Sequence, residues 1–165
     1  MQVAVLLHNI RSAHNVGSIF RTADTAGVKA VYLSGYTPLP HDKFGRIQSA
    51  FAKSYGRAQK EIAKTALGAE KTMAWQHISR LNSWLQRMKR EGWRVVGVEQ
   101  DARARDYRTF NLKQKTLFVF GNEVRGLSPA FLAQCDELVE IPMRGIKESL
   151  NVSVATGIIL FHFLS

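Results

Sequence analysis

The chain has one cysteine, Cys135, in 165 residues. That excludes an internal disulfide framework and any cysteine-rich metal site. Acidic residues are scarce as well: 13 Asp plus Glu stand against 23 Lys plus Arg, a formal charge of +10. A polyanion is the natural partner for such a balance, either nucleic acid or an acidic membrane surface. No run is long and apolar enough for a membrane span. The most apolar one, Val152 to Leu164, is shorter than the roughly 20 residues required and contains Ser153, Thr156, Gly157 and His162. A basic start followed by an apolar stretch and a small-residue cleavage site is missing from the N-terminus, so the expected location is the cytoplasm. His8, His14, His41, His77 and His162 are scattered without metal-ligand spacing, and no metal is expected. Neither G-x-G-x-x-G nor G-x-x-x-x-G-K-[ST] occurs, which disfavours a dinucleotide fold and a phosphate loop.

The 45% of apolar residues suffice for one core, and strand-like and helix-like runs alternate. Residues 2–7 read as a buried strand, Val16 to Ala26 as a helix stopped by Gly27, and residues 29–34 as the next strand. From Thr37 to Lys71 charge dominates, and one or two short helices in a loop are expected. Lys71 to His77 reads as a short strand. The segment from Ser79 to Glu91 forms an amphipathic helix through Leu81, Trp84, Leu85 and Met88. Arg94 to Glu99, Lys115 to Phe120 and Glu137 to Ile141 read as strands. Asp101 to Lys113 is a charged connector, and Pro129 to Cys135 a short helix capped by Ser128. Ser149 is the expected N-cap of a last helix reaching Leu164. About six strands alternating with helices predict an α/β fold, a mostly parallel sheet flanked by helices, with its site at the C-terminal ends of strands. The whole chain, residues 1–165, is expected to be a single domain.

Three stretches carry chemistry. In the first, Asn15 to Ala23, Arg21 falls one helical turn after Gly17, so a close approach of backbone, phosphate or Arg21 itself would offset the helical glycine. Tight helix packing and a surface ion pair are the plainer explanation. The second, Phe120-Gly121-Asn122-Glu123-Val124-Arg125-Gly126-Leu127, has the position of a ligand loop directly after the most apolar strand. The third runs from Ile141-Pro142-Met143 into Ser149-Leu150-Asn151, where a helix N-terminus would favour an electron-rich ligand. His162 on its apolar helix reads as a core side chain, and Cys135 as a small buried residue rather than a nucleophile.

Taken in order, Asn15-x-Gly17-x-x-x-Arg21-Thr22-Ala23, Gly121-Asn122-Glu123-x-x-Gly126-Leu127, and Ile141-Pro142-Met143 with Ser149-Leu150-Asn151-Val152-Ser153 resemble the three motifs of the SpoU/TrmH branch of the SPOUT RNA methyltransferases. The resemblance spans residues 15 to 155. It implies methyl transfer from S-adenosylmethionine to a ribose 2′-hydroxyl of tRNA or rRNA, a C-terminal trefoil knot and a homodimer. It also implies Arg21, Asn15, Glu123, Ser149 and Asn151 as catalytic residues. The cofactor pocket would be formed by Phe120, Gly121, Asn122, Gly126, Ile141, Pro142, Met143, Ser149 and Leu150. Other readings are a non-catalytic RNA-binding protein of the same fold and a SPOUT base methyltransferase. Arginine keeps its proton at pKa values above about 12, so Arg21 is expected to position a phosphate and stabilise an alkoxide, with phosphate, water or a carboxylate such as Glu123 taking the proton. The chain starts directly at the first strand, so no N-terminal RNA-binding extension is expected. RNA contacts then fall to Arg11, Lys43, Arg46, Lys53, Arg57, Arg103 and Arg105, with Phe44, Phe51 and Tyr55 available for stacking.

Overall fold

A computed structural model describes residues 1–41 and 52–165. Its sheet has seven strands, all parallel: β1 (Gln2–His8), β2 (Ala30–Ser34), β3 (Trp75–Ile78), β4 (Arg94–Val98), β5 (Arg105–Asp106), β6 (Lys115–Phe120) and β7 (Glu137–Glu140), in the spatial order β3-β2-β1-β6-β4-β7-β5. The helices are α1 (Ala13–Thr25), α2 (Ala52–Ala66), α3 (Ala69–Thr72), α4 (Leu81–Arg90), α5 (Pro129–Leu132) and α6 (Val152–Leu164).

Alternation along the central strands explains why both faces are covered. On β1, Val3, Val5 and Leu7 join Phe118 and Phe120 of β6 beneath α1, α2 and α6. The intervening Ala4 and Leu6 join Leu117 and Val119 beneath α4 and α5, through Trp84, Leu85, Met88, Phe131 and Leu132. Strands apolar on both sides need helices on both sides, as parallel sheets do. In register, Leu7 of β1 lies beside Phe120 of β6 and His8 beside Ser34 of β2. The strand ends that matter for function therefore share one edge.

The α/β class and the parallel sheet agree with expectation, and several local readings change. The first helix begins at Ala13 rather than Val16, because the Ser12 side chain accepts the Asn15 backbone N–H at 3.2 Å. The charged segment ends in a helix of 15 residues, α2, longer than the one or two short helices expected, and residues 69–72 are helical across the expected start of a strand at Lys71. A seventh strand, β5, sits inside the charged connector and borrows its regularity from β7. The last helix is capped by Asn151, not Ser149: the Asn151 side chain accepts the Ser153 N–H at 2.9 Å, two residues beyond the expected start.

Gly17 has a packing role. A Cβ there would come within 2.1 Å of the Thr65 Oγ1 and 2.3 Å of the Ile62 carbonyl oxygen, so its missing side chain lets α1 and α2 touch. His162 is exposed rather than buried in the core, its ring against Tyr107 at 4.9 Å and Phe163 at 4.7 Å between centroids. Burial pushes the Cys135 thiol up to about 11, which agrees with an inert side chain.

Candidate active site

The C-terminal ends of β1, β6, β4 and β7 open into one cleft, and four loops build it. After β1 comes Asn9 to Ser12, and α1 starts there because Ser12 caps it. Beyond β6, residues 121–127 fold back on themselves: the Gly126 N–H bonds the Asn122 carbonyl at 2.8 Å. A Cβ on Gly121 would lie 2.6 Å from the Gly126 carbonyl carbon, and Gly126 itself has φ +64. Glycine is required at both positions, once for space and once for the left-handed backbone. Glu99, just past β4, clamps this turn by accepting the Leu127 N–H at 2.9 Å. Gln100 then donates to the Ile141 carbonyl at 2.7 Å, tying β4 to the loop after β7.

Three motif residues meet in a chain of side chains across this cleft. Asn151 Nδ2 donates to Asn15 Oδ1 at 3.1 Å, and Asn15 Nδ2 donates to Glu123 Oε1 at 3.1 Å. Glu123 also accepts the backbone N–H groups of Arg11 at 2.9 Å and Ser12 at 3.0 Å. Burial works to raise the Glu123 pKa. The bonds from Arg11, Ser12 and Asn15 outweigh it and hold the carboxyl below the usual carboxylate range. Glu123 is thus an ionised anchor at the N-terminus of α1, favoured there by the helix dipole, and a weak proton acceptor.

Beside this chain lies an open cleft of about 700 Å³ including its solvent mouth. Phe120, Gly121, Asn122, Gly126, Ile141, Met143, Ser149 and Leu150 line it, together with Val98, Glu99, Gln100, Val152 and Ala155. Pro142 does not face it; the alternation at a strand end turns Ile141 and Met143 inward instead. Ser149 is exposed on its wall, free of the capping role. A second concavity, lined by Arg11, Ser12, Asn15, Glu123, Leu150 and Asn151, continues the cleft outward. Glu99 and Gln100 were missed from sequence, although the rule that parallel sheets bind at strand ends pointed to the residues ending β4.

Arg21 is not in this cleft. It projects from α1 into a separate concavity with Ser18, Thr22, Thr25, Lys64, Thr65 and Phe161, exposed and without an ion-pair partner among the described residues. The expected RNA-contacting cations divide. Arg11 is exposed at the cleft. Arg57 pairs with Glu61 at 3.4 Å, Arg103 with Asp101 at 2.9 Å, and Arg105 with Glu137, so part of their charge is already compensated. Lys43, Arg46, Phe44, Phe51 and the side chains of Lys53 and Tyr55 lie outside the described residues.

The model of the SpoU rRNA Methylase family matches residues 2–161. The chain belongs to that family. Among relatives of this SpoU chain, a Pseudomonas aeruginosa protein named 23S rRNA (guanosine-2'-O-)-methyltransferase RlmB is 34% identical over 158 residues, covering 96% of this chain and 56% of that protein. An Aquifex aeolicus tRNA (guanosine(18)-2'-O)-methyltransferase is 30% identical over 162 residues, covering 96% and 66%. The chain thus spans about half to two thirds of the length of these relatives. A crystal structure of an AdoMet-bound rRNA methyltransferase from Sinorhizobium meliloti superposes with a TM-score of 0.77 at 28% identity, covering 99% of this chain and 57% of that one. Among the described residues, no group of His, Cys, Asp or Glu could hold a metal ion, and no helix is long and apolar enough to cross a membrane.

Proposed function

We propose that the protein transfers a methyl group from S-adenosylmethionine to a ribose 2′-hydroxyl of tRNA or rRNA. The observation that carries this reading is the Asn151–Asn15–Glu123 chain, which joins three separated motifs at the mouth of one cleft. The cleft suits the cofactor chemically. Apolar Phe120, Ile141, Leu150 and Val152 offer a bed for an adenine ring, and the Gly121 and Gly126 turn offers closely approachable backbone. The carboxylates of Glu99 and Glu123 on its wall are compatible with a cationic ligand. When bound, S-adenosylmethionine supplies an electrophilic methyl group on a sulfonium.

The protein's own residues do the rest. Asn15 and Asn151 present amide groups to a ribose, and Glu123 fixes their orientation from the far end of the chain. Both Glu123 oxygens are engaged by the Arg11, Ser12 and Asn15 N–H groups, so Glu123 serves as an anchor, and the 2′-hydroxyl proton passes to solvent as the methyl group is transferred. Arg21 holds the neighbouring phosphate and stabilises the developing alkoxide by its charge.

In this reading Arg21 reaches the ribose from a second copy, because within its own chain it lines a concavity separate from the cleft. Helix α6 is apolar on every side, which suits a helix buried all round, yet Val154 is 49% and Phe161 46% exposed. Phe161 shares its concavity with Arg21. A homodimer that buries this face against the partner's cleft covers the apolar residues and delivers Arg21 together. The C-terminal knot is part of the same reading: α6 is lodged against Phe110 and Tyr107 of the β4–β6 connector, with the Phe163 ring 5.6 Å from Phe110, and against Thr22 of α1 through Gly157.

Nucleoside analysis of rRNA and tRNA from cells lacking the protein tests the proposal, and loss of one 2′-O-methylated nucleoside is the expected result. Loss of a base-methylated nucleoside instead, or failure to bind S-adenosylmethionine in a calorimetric titration, would overturn it.

A further inference from the structure

Tyr36 is a large aromatic side chain with no packing reason for its position. It is 59% exposed, yet it stands between the buried Ser34 and Thr37. Its backbone N–H donates to Asn9 Oδ1 at 3.2 Å. Gly35 before it has φ +64, and a Cβ there would sit 1.7 Å from that same Asn9 oxygen, so the turn and the side chain interlock. After it, the buried Thr37 hydroxyl donates to the carbonyls of Leu7 at 3.1 Å and Ser34 at 2.8 Å, and accepts the Ile10 N–H at 3.1 Å. The Tyr36 hydroxyl accepts from Asn122 Nδ2 at 3.0 Å, which fixes the outer end of the ring to the loop after β6. A ring pinned at both ends and open on a face is a platform.

Its neighbours define what would land there. Arg11 and Arg125 share one concavity with Tyr36, Asn122 and Val124. Both arginines are exposed, and neither has a carboxylate partner among the described residues. Arg11 and Val124 also line the concavity that holds Asn15, Glu123 and Asn151, so the two spaces adjoin. Two unpaired cations flanking an aromatic face match a nucleotide: phosphates on the guanidiniums and a base on the ring.

We infer that Tyr36, Arg11 and Arg125 form an RNA subsite in which an unpaired base within one nucleotide of the reacting ribose stacks on Tyr36. This rests on the methyl-transfer reading of the adjoining cleft. It selects single-stranded or extruded nucleotides, because a base paired within a duplex cannot present its face. The Tyr36–Asn122 bond further couples base docking to the loop that lines the cofactor cleft.

Fluorescence anisotropy with a short labelled oligoriboadenylate and a matching abasic ribose-phosphate chain tests this. Tyr36→Ala is expected to weaken oligoriboadenylate binding about tenfold, within the range of one base–aromatic stack. Tyr36→Phe keeps the ring and stays within about threefold of the unsubstituted protein, and the two alanine and tyrosine forms bind the abasic chain alike. Arg11→Ala with Arg125→Ala weakens both chains and flattens the salt dependence. Unchanged binding of oligoriboadenylate by Tyr36→Ala, or an equal loss on the abasic chain, overturns the inference. Titrating the unsubstituted protein with S-adenosylmethionine in parallel separates the two readings. Cofactor binding without a Tyr36 effect removes the stacking subsite alone, whereas a Tyr36 effect without cofactor binding keeps base stacking on Tyr36 and removes its link to a reacting ribose.

Discussion

The two ends of α1 differ in a way that organises the molecule. At its start, Asn15 is locked between Glu123 and Asn151, and the helix N-terminus is tied down by a carboxylate from another loop. Six residues on, Arg21 points into an open concavity with no ion-pair partner among the described residues. One end is joined to two other motifs within a single chain; the other opens away from them. In the proposed dimer the difference means that the three motifs converge across two protomers, with the helix carrying half of a site in each direction.

Breaking the exposed end should have the largest effect. Arg21→Ala should lower methyl transfer by about 10²–10³-fold, the usual scale for removing one preorganised electrostatic contact. Single-turnover assays at saturating S-adenosylmethionine measure it. Arg21→Lys keeps the charge but loses the two-pronged grip, and near-normal activity in that variant would contradict a bidentate phosphate role. The comparison sharpens if two defective chains are mixed. Arg21→Ala and Asn151→Ala chains, each nearly inactive, should together recover about a quarter of wild-type activity through mixed dimers with one intact site. No recovery after subunit exchange would place Arg21 and Asn151 in the same protomer's site.

Next in size is the middle of α1, where the two ends are held in register. Gly17→Ala drives a methyl group into the Ile62 carbonyl and the Thr65 hydroxyl, and overpacking of this kind typically costs about 1–3 kcal/mol. Thermal unfolding should show a midpoint lower by roughly 5 °C. A midpoint equal to wild type would mean that α2 can withdraw from α1 without loss.

The same contrast explains what was legible in the sequence. The cleft was legible because its parts obey local rules. Strands announce themselves by continuous apolar runs, parallel sheets bind at strand ends, and Gly121 and Gly126 mark a turn that tolerates no side chain. The cap of α6 was misread by two residues because Ser149 and Asn151 are both good caps, and only the fold decides which one reaches an open N–H. The position of Arg21 was not legible at all. Helical spacing placed it over Gly17, but which face of α1 meets α2 and which meets the cleft depends on contacts with Ile62 and Glu123, far away in sequence. Tyr36 was passed over for a related reason. A lone tyrosine in a turn carries no pattern until Asn122 is found bonded to it from 86 residues away.

A smaller effect tests the assembled end through its protonation. The native Glu123 pKa lies below its ordinary value of 4.5, so its bonds to Arg11, Ser12 and Asn15 stabilise the fold fully above that pH. The contribution disappears as pH falls through the lower native value. Glu123→Gln turns an amide N–H toward backbone donors and should lower stability by about 1–3 kcal/mol near neutrality. Urea midpoints measured against pH should show the gap between the two proteins constant above pH 5 and closing below about 4.5. A gap independent of pH would mean that the carboxylate is not the anchor.

The smallest expected effect lies outside both ends of α1, on the connector between β4 and β6. Arg103 and Arg105 looked like RNA contacts by charge alone, but Arg103 is held by both oxygens of Asp101 at 2.9 and 3.2 Å, and Arg105 pairs with Glu137. A cation already paired releases fewer counterions when a phosphate arrives, because its own carboxylate must first be displaced. Arg103→Ala and Arg105→Ala should therefore change RNA affinity less than about twofold and leave the slope of log affinity against log salt nearly unaltered, whereas Arg11→Ala should reduce that slope by about one. If the connector variants moved the slope as much as Arg11→Ala, the ion pairs would have to open on binding. The RNA path would then run over the connector as well as past the cleft.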